Sequence, residues 1–435
     1  MTRIADRADR SARPAALDYD VPLIVHSHLR WDFVWQRPQQ LLSRFAASAP
    51  VLFVEEPVWG DDLAAPTLEL TVAMRGVTRA IPRLPGALRE NGDAALAATR
   101  TLLLQALGRG GALAGQFAAP VQWFYTPMAA PAMLGAFGER GVVYDCMDEL
   151  SQFRFAPPQL VERERLLLAR ADVVFTGGHK LWQSKSAIHR NVHFFGCGVD
   201  STHFAKARLS ETPRPADVPE GEAPILGFYG VIDERLDYAL IGHLAERFPE
   251  WHVVMAGPVV KVDPRELPQA PNLHWLGQKS YAELPAYAKS FDVCLMPFAL
   301  NEATEFINPT KTLEYMAAGK PIVSTPIADV VHHFTPVVKV ARSHDGFAAA
   351  VRAAVACPEP ELVARGIGMA KDHAWESIVA KMQHHIVAAL DARQVVAVAD
   401  ADAPVVRRAL VGARRAVGGR DVVGRDVVAG EELSA

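Results

Sequence analysis

Short, uninterrupted apolar runs recur along this chain, each followed by a helical pattern, and that alternation limits it to few architectures. VPLIVHS (21–27), PVLFVEEP (50–57), VQWFYTP (121–127), GVVYDCMDE (141–149) and ADVVFTGG (171–178) are the runs of the first half. APILGFYG (223–230), WHVVMAGP (251–258), NLHWLG (272–277), FDVCLMPF (291–298) and PVVKVA (336–341) follow in the second. A strand that is apolar on both sides belongs in a parallel sheet covered by helices on both faces. The pattern therefore predicts an α/β protein with two doubly wound, Rossmann-like domains. A less regular strand pair is expected over 66–84. Helices are expected over 92–117, 157–170, 236–248 and 345–356, with a long terminal helix over 373–391.

The 435 residues exceed one typical core, which agrees with two domains. The expected layout is a disordered N-terminus (1–18), a first domain (19–204), a Pro- and Glu-rich linker (205–223) and a second domain (224–372). The terminal helix (373–391) and a disordered low-complexity tail (392–435) complete it. The net charge of −4 gives no support for a nucleic-acid binder. Cys146, Cys197, Cys294 and Cys357 are widely spaced and read as reduced residues of a cytosolic protein. Residues 1–18 lack the apolar core of a signal peptide, and no window is apolar enough to span a bilayer. In the tail, Arg407, Arg408, Arg414 and Arg415 form a basic face suited to peripheral contact with acidic lipid. The acids of the tail balance its arginines.

One stretch breaks a local rule. NPTKTLEYMAAGKPIVST (308–325) reads as a short helix, with Asn308 as N-cap and Pro309 in the first turn, then a buried strand. Gly319 suits the helix end, and Leu313, Met316 and Ala317 form the buried stripe. Lys311 lies in the first turn, where a helix disfavours a cation unless an anion sits there. Glu314 shares its face. The pair is either a phosphate site with a carboxylate for sugar hydroxyls or an ordinary surface ion pair.

Ligands of open parallel sheets sit beyond the carboxyl ends of the strands. Gly230 to Arg235, the segment after Gly257, Gly277–Gln278 and the loop from Phe298 to Asn308 are therefore the places to inspect. Arg235 and Lys311 together would cradle a diphosphate; alone, Arg235 reads as a surface partner of Glu234 or Asp237. No GxGxxG follows a strand, and neither GxxxxGK[ST] nor GxSxG occurs.

These segments resemble the GT-B glycosyltransferases of the group 1 (family 4) class over roughly residues 20–390. NPTKTLEYMAAGKPIVST is similar to that class's proline–lysine–glutamate helix and strand. GQKSYAELPAYAKSFDVCLMPF, GCGVDSTHF and Trp375–Glu376 fit it as well. WQRPQQLLSRF and YDCMDELSQF resemble a bacterial subgroup acting in cell-surface polysaccharide assembly, of the teichuronic-acid type. The resemblance implies that Lys311 and Arg235 bind the donor diphosphate and that Glu314 bonds the ribose. It places Asn308 and Thr310 at the phosphates and Gly230 in the same site. The segment around Leu276, Gly277 and Gln278 would hold the base. One departure stands out. The class often carries a glutamate eight residues before Glu314, facing the donor sugar; here that position is Phe306, with Glu305 and Glu302 nearby.

The first domain would hold the acceptor. His26 and His28 close the first strand beside Arg30, Trp31, Asp32 and Trp35, an aromatic–acid cluster suited to a sugar. Asp145 and Asp148 follow another strand and suit orienting an acceptor or acting as a base. His28, Asp145 and Glu305 are thus the candidate catalytic residues. His26, Arg30, Trp31, Asp32 and Asp148 are the candidate acceptor residues. A DxD occurs at Asp400–Asp402, in the low-complexity tail. The expected partners are a nucleotide-sugar donor, with UDP favoured, and a glycan or polyprenyl-linked acceptor. No cofactor, metal or nucleic acid is expected. The expected location is cytoplasmic, with peripheral contact at the inner face of the membrane. A nucleotide-sugar epimerase, a glycan phosphorylase or a non-catalytic nucleotide-sugar-binding protein are the rival readings.

Overall fold

Two parallel sheets carry the chain. The computed structural model describes residues 19–402 apart from 154 and 303, and no side chains beyond 395. The strands are β1 (Leu23–His26), β2 (Val51–Val54), β3 (Val58–Gly60), β4 (Thr67–Met74), β5 (Val77–Pro85), β6 (Val121–Phe124), β7 (Gly141–Cys146), β8 (Val173–Thr176) and β9 (Val192–Phe194) in the N-terminal half. The C-terminal half holds β10 (Ile225–Tyr229), β11 (His252–Ala256), β12 (Leu273–Gly277), β13 (Val293–Met296), β14 (Ile322–Ser324) and β15 (Val338–Val340).

The first sheet runs β3-β5-β2-β1-β6-β7-β8-β9, with β4 pairing antiparallel to β5 as the expected hairpin. The second runs β12-β11-β10-β13-β14-β15, parallel throughout. Strand order reverses between β1 and β6 and between β10 and β13. These reversals open the crevices where ligands of wound sheets bind. Alternate residues of β1 serve opposite cores: Leu23 and Val25 face one, Ile24 the other. That two-sided burial is why the strand sequences are continuous apolar runs.

The helices differ from expectation where glycine or distant packing decides. The helix expected over 92–117 is Gly92–Leu107. Gly108 caps it, and Gly110 (φ +84°) and Gly115 (φ +76°) turn the chain afterwards. Pro285 falls in the first turn of the helix Leu284–Ser290, where its missing N–H costs nothing. A helix over Pro360–Asp372 was not anticipated.

The last helix spans Trp375–Asp402, so residues 392–402, expected to be disordered, are helical. Asp400–Asp402 is its final turn. Its residues Trp375, Val379, Met382, Ile386 and Leu390 are buried in the N-terminal core. The expected disorder of 1–18 and 403–435, and the basic face at Arg407–Arg415, lie outside the described residues.

The Pro- and Glu-rich linker is fastened down. Lys289 Nζ donates to the carbonyls of Leu209 (2.7 Å), Ser210 (2.9 Å) and Thr212 (2.7 Å). Asp217 accepts from Lys279 (2.5 Å) and the Tyr287 hydroxyl (2.7 Å).

Candidate active site

A cleft of about 1310 Å³, counting space open to solvent, lies between the carboxyl ends of the two sheets. The C-terminal half supplies Gly230, Arg235, Gln278, Asn308, Thr310, Lys311 and Glu314. Gly277 (φ +70°) ends β12 immediately before Gln278.

Two glycines make room for the lysine. Gly230 (φ +146°) follows β10 and Gly257 (φ +156°) follows β11. A Cβ on Gly230 would lie 2.0 Å from Lys311 Cε, and one on Gly257 only 1.7 Å from the Gly230 carbonyl oxygen. Lys311 thus lies along the bare backbone at the strand end, its Nζ 5.9 Å from the Phe228 ring centre. It is half-buried and makes no hydrogen bond or ion pair among the described residues. Burial, with repulsion from Arg235, holds its pKa below the usual lysine range, while Glu314 pulls the other way. Glu314 is 9% exposed, and burial raises its carboxyl pKa against the opposing pull of Lys311 and Tyr229. An anion in this cleft would raise the lysine pKa again.

The helix that carries them is Lys311–Ala317, closed by Gly319 (φ +73°) in a Schellman motif, with Gly319 N–H on the Met316 carbonyl and Lys320 N–H on Tyr315. Its start corrects the sequence reading. Thr310 is the N-cap, not Asn308. The N–H groups of Thr312, Leu313 and Glu314 bond the Pro309 and Thr310 carbonyls at 3.1–3.3 Å. These three N–H groups are not free to cradle a phosphate. Asn308 and Thr310 instead seat the interdomain segment. Asn308 Oδ1 accepts from Cys197 N–H (3.0 Å), its Nδ2 donates to Asp329 (2.8 Å), and the Thr310 hydroxyl bonds Cys197 Sγ (3.1 Å).

Arg235 does border the cleft, but its partner is Asp233 rather than Glu234 or Asp237. Its Nε and Nη2 edge is held at 2.8–3.1 Å. That fixes the guanidinium plane and leaves Nη1 without a bond among the described residues. Gln278, expected at the base, donates to the Phe33 carbonyl across the cleft (2.6 Å).

On the N-terminal wall the expectations divide. Asp148 lines the cleft and its carboxylate has no hydrogen bond or ion pair among the described residues. Burial raises its pKa, with Arg235 opposing and Asp233 reinforcing. Asp145 does not line the cleft. It is fully buried and paired with Arg37, Nη2 to Oδ1 at 2.9 Å, while Arg37 Nη1 reaches the Phe195 carbonyl at 2.8 Å. Its expected catalytic role gives way to a structural one.

His26 is also structural. It bonds Gln122 (2.9 Å) and stacks on Phe124, and burial lowers its pKa to about 4. Burial, helped by Lys261, lowers His28 likewise to about 4, and His28 does not line the cleft. Trp31 is 4% exposed and packs edge-on against Phe53 in the core. Arg30 binds Glu55 (3.0 Å), and Asp32 pairs with Arg79. The expected acceptor cluster is thus spent on holding the loop after β1.

Glu305 is a further correction. It points away from the cleft to Lys180 (2.5 Å). Phe306 packs against the N-terminal core, with its carbonyl against Gly178. Neither Glu305 nor Glu302 lines the cleft, so no acid replaces the glutamate expected at Phe306.

Trp35 of the expected aromatic cluster does line the cleft. Several other cleft residues were missed: Arg37, Gln40 and Cys197 line it from the N-terminal half and the interdomain segment. Phe153 reaches across to lie under Arg235 (5.8 Å) and Lys261 (4.7 Å). Asp233 could have been found from its place two residues before Arg235, where an aspartate closes an Asx turn.

Comparison with known proteins agrees with this geometry. Residues 224–356 match the family described as "Glycosyl transferases group 1". A Bacillus subtilis (strain 168) protein, "Putative teichuronic acid biosynthesis glycosyltransferase TuaH", is 29% identical over 220 residues, covering 46% of this chain and 54% of that protein. The match thus spans about half the length of that relative. Among solved structures, "Trehalose-6-phosphate from E. coli bound with UDP-2-fluoro glucose" superposes with a TM-score of 0.61 at 14% identity, covering 85% of this chain and 98% of the other. Sucrose-phosphate synthase from Thermosynechococcus elongatus gives a TM-score of 0.60 at 16% identity, covering 87% and 100%. Residues 224–356 are therefore similar to the group 1 glycosyltransferases, within a chain that has the GT-B fold.

Proposed function

We propose that this protein transfers a sugar from a nucleoside-diphosphate donor to a hydroxyl of a glycan or lipid-linked acceptor in cell-surface polysaccharide synthesis. The observation that carries this reading is Lys311, a half-buried cation with no hydrogen bond or ion pair among the described residues, beside the pre-oriented Arg235 and the buried Glu314. Two cations in a low-dielectric cleft stabilise the diphosphate as it leaves. Glu314 suits the ribose hydroxyls. Asp148 is the one carboxylate among the described residues that line the N-terminal wall, and it suits the acceptor hydroxyl. The teichuronic acid relative supports a cell-envelope product, and the fold neighbour with bound UDP-2-fluoro glucose favours UDP. On this reading residues 19–204 serve the acceptor and 224–372 the donor. The enzyme works in the cytoplasm at the inner face of the membrane; no described helix is long and apolar enough to cross it.

The test is calorimetric titration with UDP, GDP and ADP, followed by turnover of the matching sugar nucleotides with a panel of acceptors. One base should bind tightly, and its sugar nucleotide should be consumed only when an acceptor is present. A second reading, a non-catalytic nucleotide-sugar-binding protein, is favoured by Phe306, which puts a half-buried phenylalanine where the donor-facing acid was expected. Tight nucleotide binding with no donor consumption across the panel would select it. Nucleotide binding by none of the three would sink both.

A further inference from the structure

Behind the donor cleft, on the other side of the wall made by Cys197 and Asn308, lies a second cavity of about 1260 Å³, counting space open to solvent. His193, His333, His373, His385 and Lys381 line it, and no aspartate or glutamate does among the described residues. Rings from both halves of the molecule meet there. His193 of the N-terminal half stacks on His385 of the last helix with centroids 3.6 Å apart, and Phe194 stacks on His333 at 5.9 Å. His333 Nε2 is buried without a hydrogen-bond partner, and Lys381 has no ion pair among the described residues.

The surrounding charges are accounted for. His179 faces His333 from the helix His179–Ser186, His332 precedes it on its own helix, with centroids 6.1 Å and 4.5 Å away, and His384 adjoins His385. The one acid acting on His333 is Asp329, whose Oδ2 already accepts from Asn308 Nδ2 (2.8 Å) and His179 N–H (3.2 Å). Lys180, on the same helix as His179, is paired with Glu305. No group of three or more His, Cys, Asp or Glu is arranged for a metal ion among the described residues. The cavity gathers four imidazoles and a lysine with no carboxylate in its own lining among the described residues, although His193 and His373 each bond a neighbouring oxygen.

We infer that this cavity is a second, anion-binding site that takes a sugar phosphate, distinct from the donor cleft. A dianion gains from each imidazole it charges, and the Trp182 and Phe334 rings on the same walls suit the apolar face of a sugar. Burial and mutual repulsion hold His193 down at about pH 4 and lower His333 and His385 as well, so they are neutral near pH 7 in the empty cavity. An entering phosphate reverses that balance, and binding takes up protons.

The experiment is calorimetry of the full chain with glucose 6-phosphate, inorganic phosphate and glucuronate, at about pH 6 and about pH 8, in buffers of different ionisation heat. Glucose 6-phosphate should bind about tenfold more tightly at the lower pH, with net proton uptake. Phosphate should bind more weakly and glucuronate weakest. Binding should survive Lys311→Ala, which disables the donor cleft, and should be lost in Lys381→Glu and weakened in His333→Gln. No binding, pH-independent binding, or binding lost in Lys311→Ala but untouched by His333→Gln would each overturn the assignment. Because these ligands carry no nucleotide, failure here leaves the donor reading intact, and failure of the UDP titration leaves this site intact.

Discussion

The two walls of the cleft carry similar residue types and use them in opposite ways. On the C-terminal wall, Lys311 is enclosed with no hydrogen bond or ion pair among the described residues, Glu314 is buried beside Lys311 and Tyr229, and Arg235 is held on one edge with Nη1 left over. On the N-terminal side Arg37, Asp145, Arg30, Glu55 and His26 are all paired with each other or with neighbouring groups, whereas the Asp148 carboxylate has no hydrogen bond or ion pair among the described residues. Charge at the end of a strand therefore does not mark a site. Charge that the fold encloses and leaves without a partner does, because desolvation then costs free energy that only a ligand can recover.

The contrast can be broken most forcefully at Asp145. Asp145→Ala strands the Arg37 guanidinium in the core and should cost roughly 3–5 kcal/mol of stability, read by chemical denaturation. The folded fraction should keep its nucleotide affinity; loss of affinity without loss of stability would return Asp145 to the active site. Lys311→Ala is the converse. It should lower turnover by roughly 10²–10³-fold, with the denaturation midpoint unchanged or raised. Full activity in that variant would remove the diphosphate assignment.

The pH dependence of stability sharpens the same point for His26. Its folded-state pKa of about 4 lies below the usual value of 6.5, so the unfolded chain binds its proton first. Stability is intact above about pH 6.5 and should fall by about 3 kcal/mol as pH drops toward 4. Urea denaturation across that window checks it, and His26→Gln should flatten the slope. A slope unchanged in the variant would mean that His26 is not the neutral core residue described.

Glu314→Gln should raise the donor KM about tenfold with a smaller change in kcat, the loss of one charged hydrogen bond to a hydroxyl. Glu305→Gln should do least. Its partner Lys180 is 40% exposed, so stability should move by under about 1 kcal/mol. Activity should remain within about twofold. A large kinetic defect there would restore it as a catalytic acid in a cleft arranged differently.

These contrasts explain what was legible in the sequence. The strands could be read because burial on both faces writes itself as a local apolar run. Lys311 and Glu314 could be read because a cation at a helix start and an acid one turn later are local anomalies. The Arg37–Asp145 pair could not, since its partners lie 108 residues apart and meet only through the order of the strands. The same holds for His26 and Gln122, 96 residues apart. The N-cap was misplaced at Asn308 for a related reason: the side chains of Asn308 and Thr310 answer to Cys197, which only the tertiary structure brings to them. The end of the helix at Leu107 was written in its glycines, but the helical run beyond 391 had no such punctuation.

The crossing points between the two halves have a mechanical consequence. The chain passes from first half to second near Gly198 and returns near Ala374, and the two crossings are bonded to each other, Val199 N–H to the His373 carbonyl at 2.9 Å. A Cβ on Gly198 would meet Trp375 and Ile378 at 2.8 Å, so the start of the last helix bears directly on the outgoing segment. With the long linker clamped by Lys289 and Asp217, its length contributes no slack. Two adjacent covalent crossings define a single pivot, and the freedom they leave is rotation about it rather than sliding. Opening the cleft to admit a donor then resembles the swing of a door on one pin, and that pin runs beside the histidine-lined cavity.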